Sequence, residues 1–399
     1  MKQIFPYVLL LCMIFYGCIQ LQPTSDGTTT EPSTAKAVVT PPVQPPKLNT
    51  SNTTTNIAWN GTINVGFVGP LSGNASYYGK QTHFALQLAV DEINENGGIN
   101  GAKLEMISTD GACSSAIAKK SAEGLIKTYN VQVIFGGLCS EEIEGMDQVL
   151  KDNRIVLLSP SATGTSKSTQ DFVFTLSPSS TSAAEKLVSY AEKQNWIRAA
   201  IITDDTTYAK TFGEAFKNEF NNRGRVVSTY QTIKGTGSVE TQVYSTKVTG
   251  PDVVVIFTQT PGRSAEVIKE LGKSMTNRTL AGGEIETMLA TIDAAGKNIQ
   301  LTGLRTKYNK NNTGTQLFLK KYESKYGETC TVPWMAVTAR DSLYLIASIM
   351  KDGGYTQNDG DVIRNELSNT KNWNGLSGNI TFDQNGDAAL EYEIVVIKS

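Results

Sequence analysis

A chain of 399 residues is longer than one hydrophobic core usually organises, and a 39% hydrophobic content gives it material for two packed units. Its net charge of -2, with 19% charged residues, lacks the basic excess that nucleic-acid binding requires. A single histidine, His83, removes most routes to acid-base catalysis, metal ligation or a Ser-His-Asp relay, so neither an enzyme, a metal site nor a cofactor is expected.

The chain begins MKQIFPYVLLLCMIFYGC, one Lys ahead of an apolar run from Ile4 to Tyr16 that is short for a membrane span and reads as a secretion signal. Gly17-Cys18 at its end resembles the lipobox of lipoproteins, with Phe15 where an aliphatic residue is usual. That resemblance implies a signal peptide over 1–18 and lipidation of Cys18. A plain signal peptide and a retained signal anchor are the alternatives, and all three place the rest of the protein outside the cytoplasm. Residues 19–61 are rich in Thr, Pro, Ser and Asn and hold too few large apolar residues to fold, so they read as a disordered tether. Sequons at Asn49, Asn52, Asn60, Asn74, Asn277, Asn311 and Asn379 are mostly what chance gives in so Asn- and Thr-rich a chain.

From residue 62 strands and helices alternate: INVGFVG, KQTHFALQLAVDEINENGG, KLEMIST, SAIAKKSAEGLIKTY, VQVIFGG, SEEIEGMDQVLKD and RIVLLS. Short unbroken Val, Ile and Leu runs suit strands covered on both faces, and the alternation predicts a doubly wound parallel sheet. RAAIITD, TFGEAFKNEFNNRG, RVVSTYQ, VETQVYSTKV, DVVVIFT, RSAEVIKELGKS and RTLAGGEI predict a second one. A long buried helix is expected between Thr331 and Met350, and a last strand in LEYEIVVIKS. FDQNGD opens like a calcium loop but lacks its terminal Glu and contains Asn-Gly, so it reads as a turn. His83, among Phe84, Leu86 and Leu88 with no partner at ligand spacing, reads as a surface or cap-proximal residue.

Cys113 and Cys139 end two successive predicted strands, and in an oxidising compartment their pairing closes a loop worth roughly 3 kcal/mol of chain entropy. Cys330 is left over and reads as a buried free thiol.

The segment INVGFVGPLSGNASYYGKQTHFALQLAVDEINENGGINGAKL, followed in order by GACSS, GGLCS, SPSAT, IITDDTTYAKTFGEAF, VVVIFTQT, AGGEI and FDQNGD, resembles the Leu/Ile/Val-binding family of type I periplasmic solute-binding proteins of ABC transporters. The likeness spans nearly everything after residue 62. It implies two Rossmann-like lobes joined by a multi-segment hinge, 62–178 with 308–386 and 179–307 with 387–399, and an amino acid held in the cleft. A zwitterion leaving water needs donors around its carboxylate and acceptors around its ammonium. By resemblance Ser140, at a strand-to-helix junction where backbone N–H groups favour an anion, takes the carboxylate, and its plainer reading is a helix N-cap. The Ala162 carbonyl takes the ammonium, Thr163 the carboxylate, with Ser161 replacing the usual Gly. Glu284 falls where the family places an acid for the ammonium. Tyr208 and Tyr78 match aromatics of the second and first lobes, and either also suits plain packing. Gln259 and Thr260 stand where some members carry aromatics, which makes the side-chain pocket more polar. The expected partners are a small ligand, an ABC permease and the outer face of the cell membrane, with the protein a monomer. A sensory domain of the same architecture is the alternative role. A hydrolase is disfavoured because the chain lacks G-x-S-x-G, H-E-x-x-H and any second histidine.

Overall fold

The computed structural model describes residues 61–162, 172–275, 279–353 and 359–398, all within one compact unit. The expected signal peptide, Cys18 and nearly all of the tether, as well as Thr163, lie outside the described residues.

The first lobe is laid down as β1 (Thr62–Gly69), α1 (Ser76–Glu95), β2 (Lys103–Asp110), α2 (Ser115–Tyr129), β3 (Val133–Gly136), α3 (Ser140–Asn153), β4 (Val156–Ser159) and β5 (Val173–Thr175). Its five strands are parallel in the order β2-β1-β3-β4-β5. β3 and β4 are buried at every residue, which is why their sequences run apolar without alternation.

The second lobe follows as α4 (Ser180–Lys193), β6 (Arg198–Asp204), α5 (Thr207–Asn222), β7 (Val226–Ile233), α6 (Glu240–Lys247), β8 (Val253–Phe257), α7 (Pro261–Ser274), β9 (Leu280–Gly282), α8 (Leu289–Ala295) and β10 (Gln300–Thr306). The chain then forms α9 (Thr313–Tyr326), α10 (Pro333–Gly353) and α11 (Gly360–Asn369), the short pair β11 (Trp373–Asn374) and β12 (Asn379–Ile380), and β13 (Tyr392–Lys398). α10, the expected long buried helix, packs on α1 of the first lobe. β13 returns to the second sheet, whose order is β13-β10-β9-β8-β6-β7, and pairs antiparallel with β10 at its edge.

Stripped of β13, the second sheet repeats the winding of the first. In each sheet the first strand of the lobe lies between its second and third, so the strand order reverses beside β1 in one lobe and beside β6 in the other. Open α/β sheets bind ligands at the carboxyl ends of the strands at such a point, because the loops there part to leave a crevice. Three stretches of chain cross between the lobes side by side. Thr175 N donates to Gly386 O at 2.9 Å, Ala388 N to Thr175 O at 2.9 Å, and Lys307 N to Glu391 O at 2.8 Å. The Tyr392 hydroxyl adds a 3.0 Å bond to Pro178 O.

Several local readings meet their outcome here. Cys113 and Cys139 form a disulfide, and Cys330 is free and buried, with burial pushing its thiol up to about 12. FDQNGD is a turn in which Asp383 Oδ1 accepts from Asn385 N at 2.8 Å and Asp387 N at 3.0 Å. His83 is not a surface or cap residue. It lies between α1 and the sheet, packs edge-on against Phe67 with ring centroids 5.1 Å apart, and places Nε2 2.8 Å from Ser108 Oγ. That burial lowers its pKa.

Candidate ligand-binding site

Three loops leave the carboxyl ends of β1, β3 and β4 and converge on one side of a small cavity. Three more leave β6, β8 and β9 and close the other. The cavity is about 20 Å³, room for one or two waters.

From the first lobe come Tyr78 on α1, Leu138 and Ser140 around the start of α3, and Ser161 and Ala162 after β4, with Met335 from α10. The loop after β3 turns through Gly136 at φ +113°, where a Cβ would lie 1.9 Å from Val68 O, so only glycine passes. Cys139 is the N-cap residue of α3 and Ser140 its first helical residue, so Ser140 is not the cap that its sequence position allowed. Buried at the N-terminus of a 14-residue helix, it stands where backbone N–H groups favour an anion. In the loop after β4, Ser159 Oγ donates to Gly137 O at 3.0 Å and accepts from Ala162 N at 3.1 Å, which ties this loop to the one after β3. Ser161 in place of the family's Gly needs no left-handed backbone here.

Beneath these loops lies an acidic side chain of the first turn of α3. Glu142 is fully buried, accepting from Cys113 N through Oε1 at 3.0 Å and from Leu138 N and Cys139 N through Oε2 at 3.0 and 3.3 Å. Burial pushes its carboxyl up to about 8 despite these donors. It braces a strained neighbour, since Ala112 and Cys113 both have φ of 50°. The two sulfurs and Glu142 lie close enough to suggest a metal site, but the sulfurs are bonded to each other and the carboxylate is occupied by three amides. They hold loops, not an ion.

The second lobe contributes Tyr208 near the start of α5, Gln259 after β8, and Glu284 and Ile285 after β9. Tyr208 packs on Phe212 with centroids 4.6 Å apart, and its hydroxyl sits over Gly283, where a Cβ would come within 2.7 Å. Glu284 Oε1 accepts from Thr306 N at 2.6 Å. Burial pushes the Glu284 carboxyl up to about 7, opposed by that bond and by the Arg305 charge. Glu286 does in this lobe what Glu142 does in the other. It accepts from Thr258 N at 3.0 Å, Ser264 Oγ at 2.8 Å and Gly283 N at 2.9 Å, and burial pushes it up to about 7. Thr260, grouped with Gln259 in the sequence, instead caps α7 by accepting from Arg263 N.

The lobes touch across the cavity. Gln259 Nε2 donates to the Tyr78 hydroxyl at 3.2 Å, and that hydroxyl lies 3.4 Å from Gln259 O and 3.4 Å from Cys139 Sγ. Thr207 N donates to Glu141 Oε1 at 2.7 Å. The Arg305 guanidinium stacks over the Trp334 ring, 5.0 Å from its centroid. Tyr78, Ser140, Ala162, Tyr208 and Glu284 are thus brought together. Leu138, Ile285 and Met335 were missed as site residues, being indistinguishable in sequence from ordinary core.

Residues 62–399 match the sequence model of the family described as periplasmic binding protein. The chain belongs to that family. Among curated relatives of this periplasmic binding protein, the Leu/Ile/Val-binding protein BraC3 of Rhizobium johnstonii is 24% identical over 340 residues, which span 82% of this chain and 88% of that one. The Leu/Ile/Val-binding protein of Escherichia coli is 27% identical over 169 residues, covering 41% of this chain and 45% of its own length. Among solved structures, the branched-chain amino acid transporter substrate binding protein LivJ from Streptococcus pneumoniae, in complex with isoleucine, has a TM-score of 0.76 at 22% identity over 84% of this chain and 96% of that one. A solute binding protein from R. palustris in complex with benzoate has a TM-score of 0.74 at 19% identity over 84% and 92%. At those identities the structures establish the fold, two α/β lobes of the type I kind. The matched relatives are solute-binding proteins rather than enzymes, and the family places the chain outside the cytoplasm. No helix among the described residues is long and apolar enough to cross a membrane.

Proposed function

We propose that this protein captures a free α-amino acid between its lobes and delivers it to the permease of an ABC transporter. The observation that carries the reading is the pairing of a buried acid, Glu284, with the N-terminus of α3 at Ser140 on opposite lobes of one cavity. A zwitterion supplies the cation that one needs and the anion that the other favours. A simple carboxylate such as benzoate would use only the α3 side. Ser140 and Thr163 take the ligand carboxylate, the Ala162 carbonyl and Glu284 the ammonium, and Tyr78 and Tyr208 flank it.

Because these groups sit on both lobes, the ligand stabilises their approach by its differential affinity for the closed arrangement. The hinge then divides the chain into 62–178 with 308–386 and 179–307 with 387–399. Export through residues 1–18, and tethering of a monomer to the outer face of the membrane through a lipid on Cys18 or a retained signal anchor, completes the proposal. A panel of free amino acids, amides and small organic acids tests it by thermal denaturation. An amino acid at 100 times its dissociation constant should stabilise the protein by about 2.7 kcal/mol. A panel in which no amino acid shifts the transition would reject the reading.

A further inference from the structure

Gln259 is a buried amide at the cavity with one of its four hydrogen-bonding positions used. Its Nε2 donates to the Tyr78 hydroxyl at 3.2 Å, whereas its Oε1, fully buried, has no partner. The Tyr78 hydroxyl donates to Gln259 O at 3.4 Å and keeps a lone pair for Nε2. Tyr208 Oη, on the same lobe, and Ser161 Oγ, across the cavity, are likewise buried without a partner. Buried polar atoms are nearly always paired, and those lining a cavity find their partner in what enters it.

The lining around them is mixed. Leu138, Ala162, Ile285 and Met335 supply apolar surface, and with Ser140 and Glu284 assigned to the charged groups of the zwitterion, Gln259 Oε1 is an unpaired acceptor left for what the ligand carries as a side chain. Resting on the amino-acid reading above, we propose that Gln259 selects a side chain that carries a hydrogen-bond donor, a hydroxyl or a carboxamide, over the branched aliphatic side chains of the same size. An aliphatic ligand covers Oε1 without pairing it and strips it of water. A hydroxyl or amide donates to Oε1 and faces Tyr208 Oη with its remaining capacity.

Threonine and valine have nearly the same shape and differ by one hydroxyl, so they isolate this interaction. Calorimetric titration of the full chain with L-threonine, L-valine, L-asparagine and L-leucine should show threonine bound at least about tenfold more tightly than valine, and asparagine more tightly than leucine, the cost of one unpaired buried acceptor. Gln259→Leu should cancel or invert both ratios by weakening the polar ligands and strengthening the aliphatic ones. Valine bound as tightly as threonine by the native chain overturns the inference while leaving the amino-acid reading in place, and this comparison needs no variant to fold. A threonine preference that survives Gln259→Leu unchanged also overturns it, by assigning the preference elsewhere. Binding of none of the four, nor of any other amino acid, overturns both.

Discussion

Replacing Glu284 with glutamine weakens amino-acid binding by about a hundredfold, near the lower end of what removing one member of a buried charge pair costs. The substitution keeps the shape and the bond from Thr306 N but removes the charge that the ligand ammonium requires. A second readout separates charge from packing. Burial holds the free carboxyl at about 7, and the ammonium stabilises only its ionised form. Affinity therefore falls as pH drops below about 7, approaching tenfold per pH unit, and binding near pH 6 releases most of one proton. The glutamine variant should bind weakly with a flat profile over that range. The stability of the free protein runs the opposite way. A carboxyl raised from 4.5 to about 7 in the folded state contributes stability that is full below 4.5 and lost as pH rises through 7. Glu286 and Glu142, raised to about 7 and 8, act in the same sense, so the variant keeps part of this slope. A native affinity unchanged between pH 5 and 8 would contradict the role given to Glu284.

The largest loss of stability is expected from Glu142→Ala. Two buried amide donors, on Leu138 and Cys139, and a part-buried one on Cys113 lose their acceptor together, and each orphaned buried group costs about 1–3 kcal/mol. Partial relaxation and water entry bring the expected total to about 3–6 kcal/mol, measured by urea denaturation with the disulfide intact. The disulfide does not replace these bonds. It fixes the two loops to each other, whereas Glu142 fixes their backbone orientation against α3. Ligand affinity should fall as well, since Ser140 directly follows the cap that Glu142 holds. A loss of less than 1 kcal/mol would show that the loops hold their shape without the carboxylate.

Much of the fold was legible because its strands are buried on both faces. β3, β4 and β8 are unbroken apolar runs, and β6 and α2 occupy the very segments read as strand and helix. α4 and β10 were not anticipated. α4 depends on Ser179 accepting from Ser182 N within a run of small and polar residues, and β10, QLTGLRT, is strand-like only because β9 and β13 flank it. β13 was expected, but its antiparallel edge pairing is a tertiary outcome that local pattern does not contain.

At the site, Tyr78, Ser140, Ala162, Tyr208 and Glu284 fall around one cavity, whereas the braces did not announce themselves. Glu142 and Glu286 look like solvated charges in sequence, and only the converging backbone donors reveal otherwise. Glu142 had one available signal, its place three residues after the helix cap, where an acid reaches back to backbone donors. His83 was misplaced for a related reason. An α1 position that borders the sheet is half-buried, and a polar side chain is tolerated there because Ser108 meets it.

The orientation of the bound ligand tests the central claim most directly. In a crystal structure of the protein with its amino acid, the ligand ammonium should lie about 3 Å from the Glu284 carboxylate and the ligand carboxylate at the N-terminus of α3 beside Ser140, both between the lobes. A ligand bound elsewhere, or turned so that its carboxylate faces Glu284, would contradict the account.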